Sequence, residues 1–160
     1  MKTVLSYRAA SVVPASVNRE ARTVELSFSS ETPVDRHFGR EVLSHDPAAV
    51  RLDRLNRGGP FLVGHDSERQ VGIVEKAYIG KDRKGRALVR FSRTPRGDDI
   101  FLDIVDGIRP NISVGYTVHK MVRTESTDDV PTFTVTDWEP IEISTVSVAA
   151  DLEVGIARNK

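Results

Sequence analysis

The sequence predicts an α+β fold with a β-dominated core, a barrel or sandwich braced by helices. Apolar and polar residues alternate through most of the chain, as in Thr23-Val24-Glu25-Leu26-Ser27-Phe28. Turn chemistry separates the alternating runs, as in Asp82-Arg83-Lys84-Gly85. Two segments carry helix start and stop signals. No internal repeat or low-complexity tract competes with this reading.

In chain order, Val4 to Val13 reads as a strand ended by Pro14, and a partner for Thr23 to Phe28. Asp46 suits an N-cap and Pro47 the first helical position. Val50, Leu52 and Leu55 give that first helix its apolar side, and Gly58-Gly59-Pro60 stops it. Phe61-Leu62-Val63 is a short apolar strand running into Gly64-His65-Asp66. Val71 to Ile79 and Ala87 to Phe91 make a hairpin around the Asp82–Gly85 turn. Thr94 caps a second helix that Pro95 starts, with Asp98 and Asp99 at its positive end. Its buried stripe is Phe101, Ile104, Val105 and Ile108, and Gly107 with Pro110 marks the exit. Ile112 to Val122 is the longest alternating run. Thr124–Asp129 reads as a mobile hairpin loop, followed by strands over Phe133 to Trp138 and Ile141 to Ala149.

A chain of 160 residues makes one domain, here residues 1–150, with residues 151–160 as a C-terminal tail or linker. Lys plus Arg number 23 and so do Asp plus Glu. A net charge of zero argues against a dedicated nucleic-acid binder, which carries a basic excess. The run Lys81–Arg86 is basic but holds no aromatic residue, and reads as a solvated turn. The absence of Cys excludes disulfides, thiol nucleophiles and Cys-ligated zinc. No run approaches the roughly eighteen apolar residues of a membrane helix. Met1–Arg8 starts like a signal peptide, but Arg8 ends its apolar stretch early. The default expectation is a soluble cytoplasmic protein without membrane contact.

Among the four histidines, His37, His45, His65 and His119, the setting of His65 stands out. An apolar strand ending in a titratable side chain at a turn is a good mount for a general base. Ser113, at the start of the long strand, is a candidate nucleophile, although no Gly-x-Ser-x-Gly elbow surrounds it. Glu142 sits inside an otherwise apolar strand, where a carboxylate requires a partner. His119 shares Ser113's strand six residues on, roughly 20 Å away at about 3.3 Å per residue, and so cannot serve it. Asp66, Asp137 and Glu139 rank below Glu142 as the acid that orients the base. The dipeptides His45-Asp46 and His65-Asp66 allow a metal reading, which the strand-like setting of His65 weakens. No cofactor or metal is expected.

The order His, Ser, acid is carried by Gly64-His65-Asp66, Asn111-Ile112-Ser113-Val114-Gly115-Tyr116 and Trp138-Glu139-Pro140-Ile141-Glu142-Ile143-Ser144. In these segments the chain resembles the prohead (capsid maturation) serine proteases of tailed phages of the HK97 type. The resemblance runs from about Arg8 to Asp151. Ala21–Leu26 and Arg51–His65 also look like members fused ahead of a major capsid protein. Many members read Pro-Ala-Asn where this chain has Ala149-Ala150-Asp151.

The resemblance implies an assemblin-like, closed or nearly closed antiparallel β-barrel with surrounding helices. It implies a serine endopeptidase that cleaves the scaffold portion of capsid subunits, and itself, inside the procapsid in the bacterial host cytoplasm. His65 would be the base, Ser113 the nucleophile and Glu142 the acid. The substrate partners would be the major capsid protein or its scaffold part, with no nucleic acid. Dimerisation, ordering of loops around the site and delayed self-cleavage stay open as controls on activity. The competing class is a non-enzymatic structural or scaffolding module of a phage head, in which Ser113 and His65 would not converge.

Overall fold

A computed structural model describes residues 5–148, and the expected tail at 151–160 lies outside them. The elements run β1 (Ser6–Asn18), β2 (Thr23–Ser29), β3 (Val34–Arg36), β4 (Gly39–Leu43), a 3₁₀ turn (Pro47–Ala49) and α1 (Asp53–Asn56). They continue through β5 (Pro60–Val63), β6 (Asp66–Ile79), β7 (Gly85–Phe91), α2 (Pro95–Val105), β8 (Asn111–Thr124) and β9 (Thr132–Thr145).

The strand pairings form a circuit: β9 to β5, β6, β7, β2, β1, β8 and back to β9. The ladder is antiparallel except at one edge of β9, which pairs parallel with β4 through its first half and with β5 through its second. The β3–β4 hairpin hangs from that edge as an annex to the barrel. Alternation decides which faces turn inward: Val24, Leu26 and Phe28 of β2 are fully buried, with Val89, Phe91, Ile112, Val114 and Ile143 in the same core.

Two prolines lie inside strands, where the sequence pattern suggests breaks. Strand β1 continues past Pro14, and its register against β2 slips between Val12 and Val17. Phe133–Trp138 and Ile141 onward are one strand, β9, whose register slips at Pro140: Gly115 pairs with Glu142, but Tyr116 with Pro140. A bulge is where a strand tolerates a residue without an N–H.

The expected first helix is split. Asp46 does cap, its carboxylate accepting from Ala48 N–H at 2.9 Å. Val50 then turns extended and bridges to Trp138, leaving only the single turn of α1 beyond it. Pairing of Val50 with β9 outcompetes the weak local helical pattern. The second helix forms as expected over Pro95–Val105, with Thr94 accepting from Gly97 N–H and Phe101 and Ile104 buried. Ile108 falls beyond its end and is 69% exposed, so it leaves the expected stripe. The β8–β9 loop is tied by Asp128, which accepts from Ser126, Val130 N–H and Arg40. Those donations, led by the Ser126 hydroxyl, lower the Asp128 pKa to about 2.

Candidate active site

The β8–β9 ladder assembles half of the site. Ser113 lies opposite Ser144 and Gly115 opposite Glu142, so all four residues share one face of the sheet. Glycine at 115 leaves room for the carboxylate where it stands: a Cβ there would sit 2.5 Å from Glu142 Oε1, which would have to move. Strand β1 adds Tyr7, opposite Gly115, and Ala9, opposite Ser113.

The other half comes from the turn between β5 and β6. Strand β5 pairs with the end of β9, Leu62 with Ser144 and Val63 with Thr145. Gly64 and His65 then both take left-handed backbone, with φ of 61° and 60°. For His65 that conformation is sparsely populated and needs support from its surroundings. Support is present: Gly64 N–H donates to Thr145 O at 2.9 Å and His65 N–H donates to Ser144 Oγ at 3.1 Å. The reversed turn throws the imidazole back over β8 and β9.

There His65 Nε2 lies 2.8 Å from Ser113 Oγ, and Nδ1 bonds Glu142 Oε1. A carboxylate can only accept, so Nδ1 carries the proton and Nε2 accepts from the Ser113 hydroxyl. Glu142 Oε2 accepts from Ser144 Oγ at 2.7 Å. Ser113 and Ser144 are fully buried, Glu142 is 5% exposed, and the His65 side chain is partly exposed. The arrangement can accept a proton from a serine oxygen and hold the resulting imidazolium against a carboxylate.

The rival residues are occupied elsewhere. Asp137 pairs with Arg51 at 2.7 Å, Glu139 with His119 at 3.2 Å, and Asp66 caps Glu68 N–H. His45 is a core histidine: its Nδ1–H donates to Leu43 O and its Nε2 accepts from Ser29 Oγ. Burial lowers its pKa and favours the neutral ring. Asp46 is spent on its cap, so the two His-Asp dipeptides do not combine. Among the described residues no group of three or more His, Cys, Asp or Glu could hold a metal ion. In the basic run Lys81–Arg86, Arg83 pairs with Glu31 and Arg86 with Asp82.

A family model for the caudovirus prohead serine proteases matches residues 39–160. The chain belongs to that family. His65, Ser113 and Glu142 all lie within the matched span of this prohead protease family member. The major capsid protein of Halomonas phage phiHAP-1 is 46% identical over 137 residues, covering 84% of this chain and 23% of that protein. The chain therefore spans less than a quarter of the relative's length. The fold is similar to that of the bacteriophage T4 capsid assembly protease, with a TM-score of 0.61, 91% of this chain and 99% of that chain covered, and 13% identity. At such identity the likeness is one of fold.

Sequence reasoning did not find three residues around Ser113, His65 and Glu142. Tyr7 packs its ring on the His65 imidazole, centroids 4.1 Å apart and planes tilted by 48°. Gly115 and Ser144 flank Glu142. The available signal was period two: residues 113 and 115, and 142 and 144, had to share faces, but their mutual register depends on the bulge at Pro140.

Proposed function

We propose that the chain is the protease part of a protease–major capsid protein fusion. It acts as an endopeptidase that cleaves the scaffold portion of capsid subunits, and itself, inside the procapsid during head maturation. Residues 1–150 form the protease unit, and the segment from 151 onward leads toward the capsid protein. The fusion reading rests on the 46% identity to a major capsid protein several times longer than this chain. The host cytoplasm follows as the place where procapsids assemble.

One observation carries the chemical reading: a single imidazole bonds Ser113 through one nitrogen and Glu142 through the other. Ser113 Oγ attacks the scissile carbonyl while His65 Nε2 takes its proton. Glu142 holds the ring and stabilises the imidazolium. The tetrahedral intermediate collapses as His65 returns the proton to the leaving amine, giving an acyl-enzyme. Water, deprotonated by the same imidazole, then releases the acid product and restores Ser113. Backbone N–H groups stabilise the oxyanion.

The direct test is active-site labelling. A fluorophosphonate should form one adduct, mapped by mass spectrometry to Ser113, and the adduct should vanish in Ser113→Ala. An adduct mapped to another residue would displace Ser113 from its role. A chain that neither labels nor cleaves would favour the non-enzymatic head module.

A further inference from the structure

We propose that Ser144 is a positioning residue that locks the base and the acid of the Ser113 site to each other. The proposal rests on the reading of Ser113, His65 and Glu142 given above and extends it by a fourth side chain. Two bonds converge on its hydroxyl, and its place in the sheet adds a third observation. The Ser144 hydroxyl donates its one hydrogen to Glu142 Oε2 at 2.7 Å. The same oxygen accepts from His65 N–H at 3.1 Å. Ser144 also stands directly opposite Ser113 in the β8–β9 ladder.

The bonding is economical in what it leaves free. Glu142 is nearly buried, and its Oε1 is already taken by His65 Nδ1. Its Oε2 therefore depends on a protein donor, and Ser144 is the donor present. A carboxylate tethered at one oxygen can rotate about its terminal bond; tethered at both, it keeps one oxygen aimed at the imidazole. His65, meanwhile, holds φ at 60°, a conformation that neighbouring contacts must enforce. The Ser144 oxygen binds its amide, while Thr145 O binds the amide of Gly64. One hydroxyl thus fixes the backbone from which the base projects and the carboxylate that orients its ring. A serine merely filling a strand position would need only one of these bonds.

The test compares the parent chain with Ser144→Ala and Ser144→Cys, using hydrolysis of a p-nitrophenyl ester and one-dimensional proton NMR. Thermal unfolding identifies which variants are folded. Ser144→Cys keeps the shape with a weak donor and carries the test should Ser144→Ala fail to fold. The expected result is a kcat lowered roughly ten- to a hundredfold with KM nearly unchanged, the size of one lost hydrogen bond to a charged group. The far-downfield resonance of the His65 Nδ1 proton should shift or broaden with it. A folded variant with kcat within about twofold of the parent and that resonance unmoved would overturn the proposal. Ser113→Ala run alongside separates the two readings. If it too stays active, the nucleophile assignment falls; if it is inactive while the Ser144 variants match the parent, only the role of Ser144 falls.

Discussion

Glu41 and Glu142 lie on paired strands, β4 and β9, and both are buried, yet they are held in opposite ways. Glu41 faces permanent cations. Its Oε1 accepts from Arg8 at 2.9 Å and from the Tyr116 hydroxyl at 2.6 Å, with Arg36 at 3.5 Å. Arg8 also donates to Thr32 O and Glu41 O, and Arg36 to Tyr7 O. That network pins the β3–β4 annex across β1 and β8. Among the described residues no Lys or Arg pairs with Glu142, whose partners are an imidazole and a hydroxyl.

The difference teaches what separates a structural carboxylate from one suited to chemistry. Glu41 is compensated at all times, so its field does the same work in every state of the protein. In the proposed reaction the full compensation of Glu142 would arrive only when His65 takes the Ser113 proton. An interaction that strengthens along the reaction coordinate lowers the barrier; one that is constant does not. Strand β1 meets both clusters with consecutive residues. Tyr7 points to one face, against His65, and Arg8 to the other, against Glu41.

The largest expected effect breaks the catalytic side of this comparison. Ser113→Ala should abolish turnover, with losses near a millionfold as in other triads, while thermal unfolding stays close to the parent. Glu142→Gln keeps the shape and removes the charge, and should cost about 10⁴-fold in kcat. If Glu142→Gln retained full activity while an Asp137 or Glu139 variant lost it, the acid would have to be reassigned.

Glu41→Gln should do the reverse, sparing kcat in whatever fraction stays folded and lowering stability. Removing one partner of a buried ion pair costs about 3–5 kcal/mol, because Arg8 is left buried without its counter-charge. Urea titration read beside activity gives both numbers. Should Glu41→Gln lose kcat without losing stability, the two glutamates would not divide structure from chemistry in this way.

The sequence made much of this legible, unevenly. His65 announced itself as a lone imidazole after Gly64 at the end of an apolar run, and Glu142 as a carboxylate inside an apolar strand. Ser113 had no local signature, and its place came from the order of three motifs resembling a family. What was not legible depends on long-range register. The strands β3 and β4 are short and mixed in polarity, so alternation does not reveal them. The Arg8–Glu41–Tyr116 network joins residues up to 108 positions apart. Ser144 is one serine among several until the bulge at Pro140 fixes it opposite Ser113. Val50 shows the same principle, because its bridge to Trp138 overrides a local helix pattern.

Acid should distinguish the two glutamates further. Burial works against the charge on Glu41, but the donations of Tyr116 and Arg8, with the charges of Arg8 and Arg36, outweigh it and set its pKa below the ordinary 4.5. A carboxylate with a depressed folded pKa is protonated first in the unfolded chain. Its contribution is therefore complete above about pH 4.5 and is lost as pH falls through the lower folded value. The parent should lose stability over that window, whereas Glu41→Gln should show a flatter profile there. Parallel profiles would mean that Glu41 is not the group responsible.

The smallest expected effect concerns Tyr7. Its ring lies on the imidazole, and its phenol is held above the ordinary 10.0 by burial and then by the charge of Glu142. It therefore stays neutral through the working range, covering the His65–Glu142 pair without adding a charge that would compete for the imidazolium. The contact recorded is ring to ring. Tyr7→Phe should then match the parent in kcat. Tyr7→Ala exposes one side of the imidazole and removes a ring contact worth about 0.5–1.5 kcal/mol, a severalfold loss in kcat. The Arg36 bond to Tyr7 O is made by the backbone and survives both changes, so the Glu41 network serves as an internal control. Loss of activity in Tyr7→Phe equal to that in Tyr7→Ala would shift the role from the ring to the hydroxyl. Unfolding of both variants at the Glu41→Gln midpoint would show that β1 ties the two clusters into one cooperative unit.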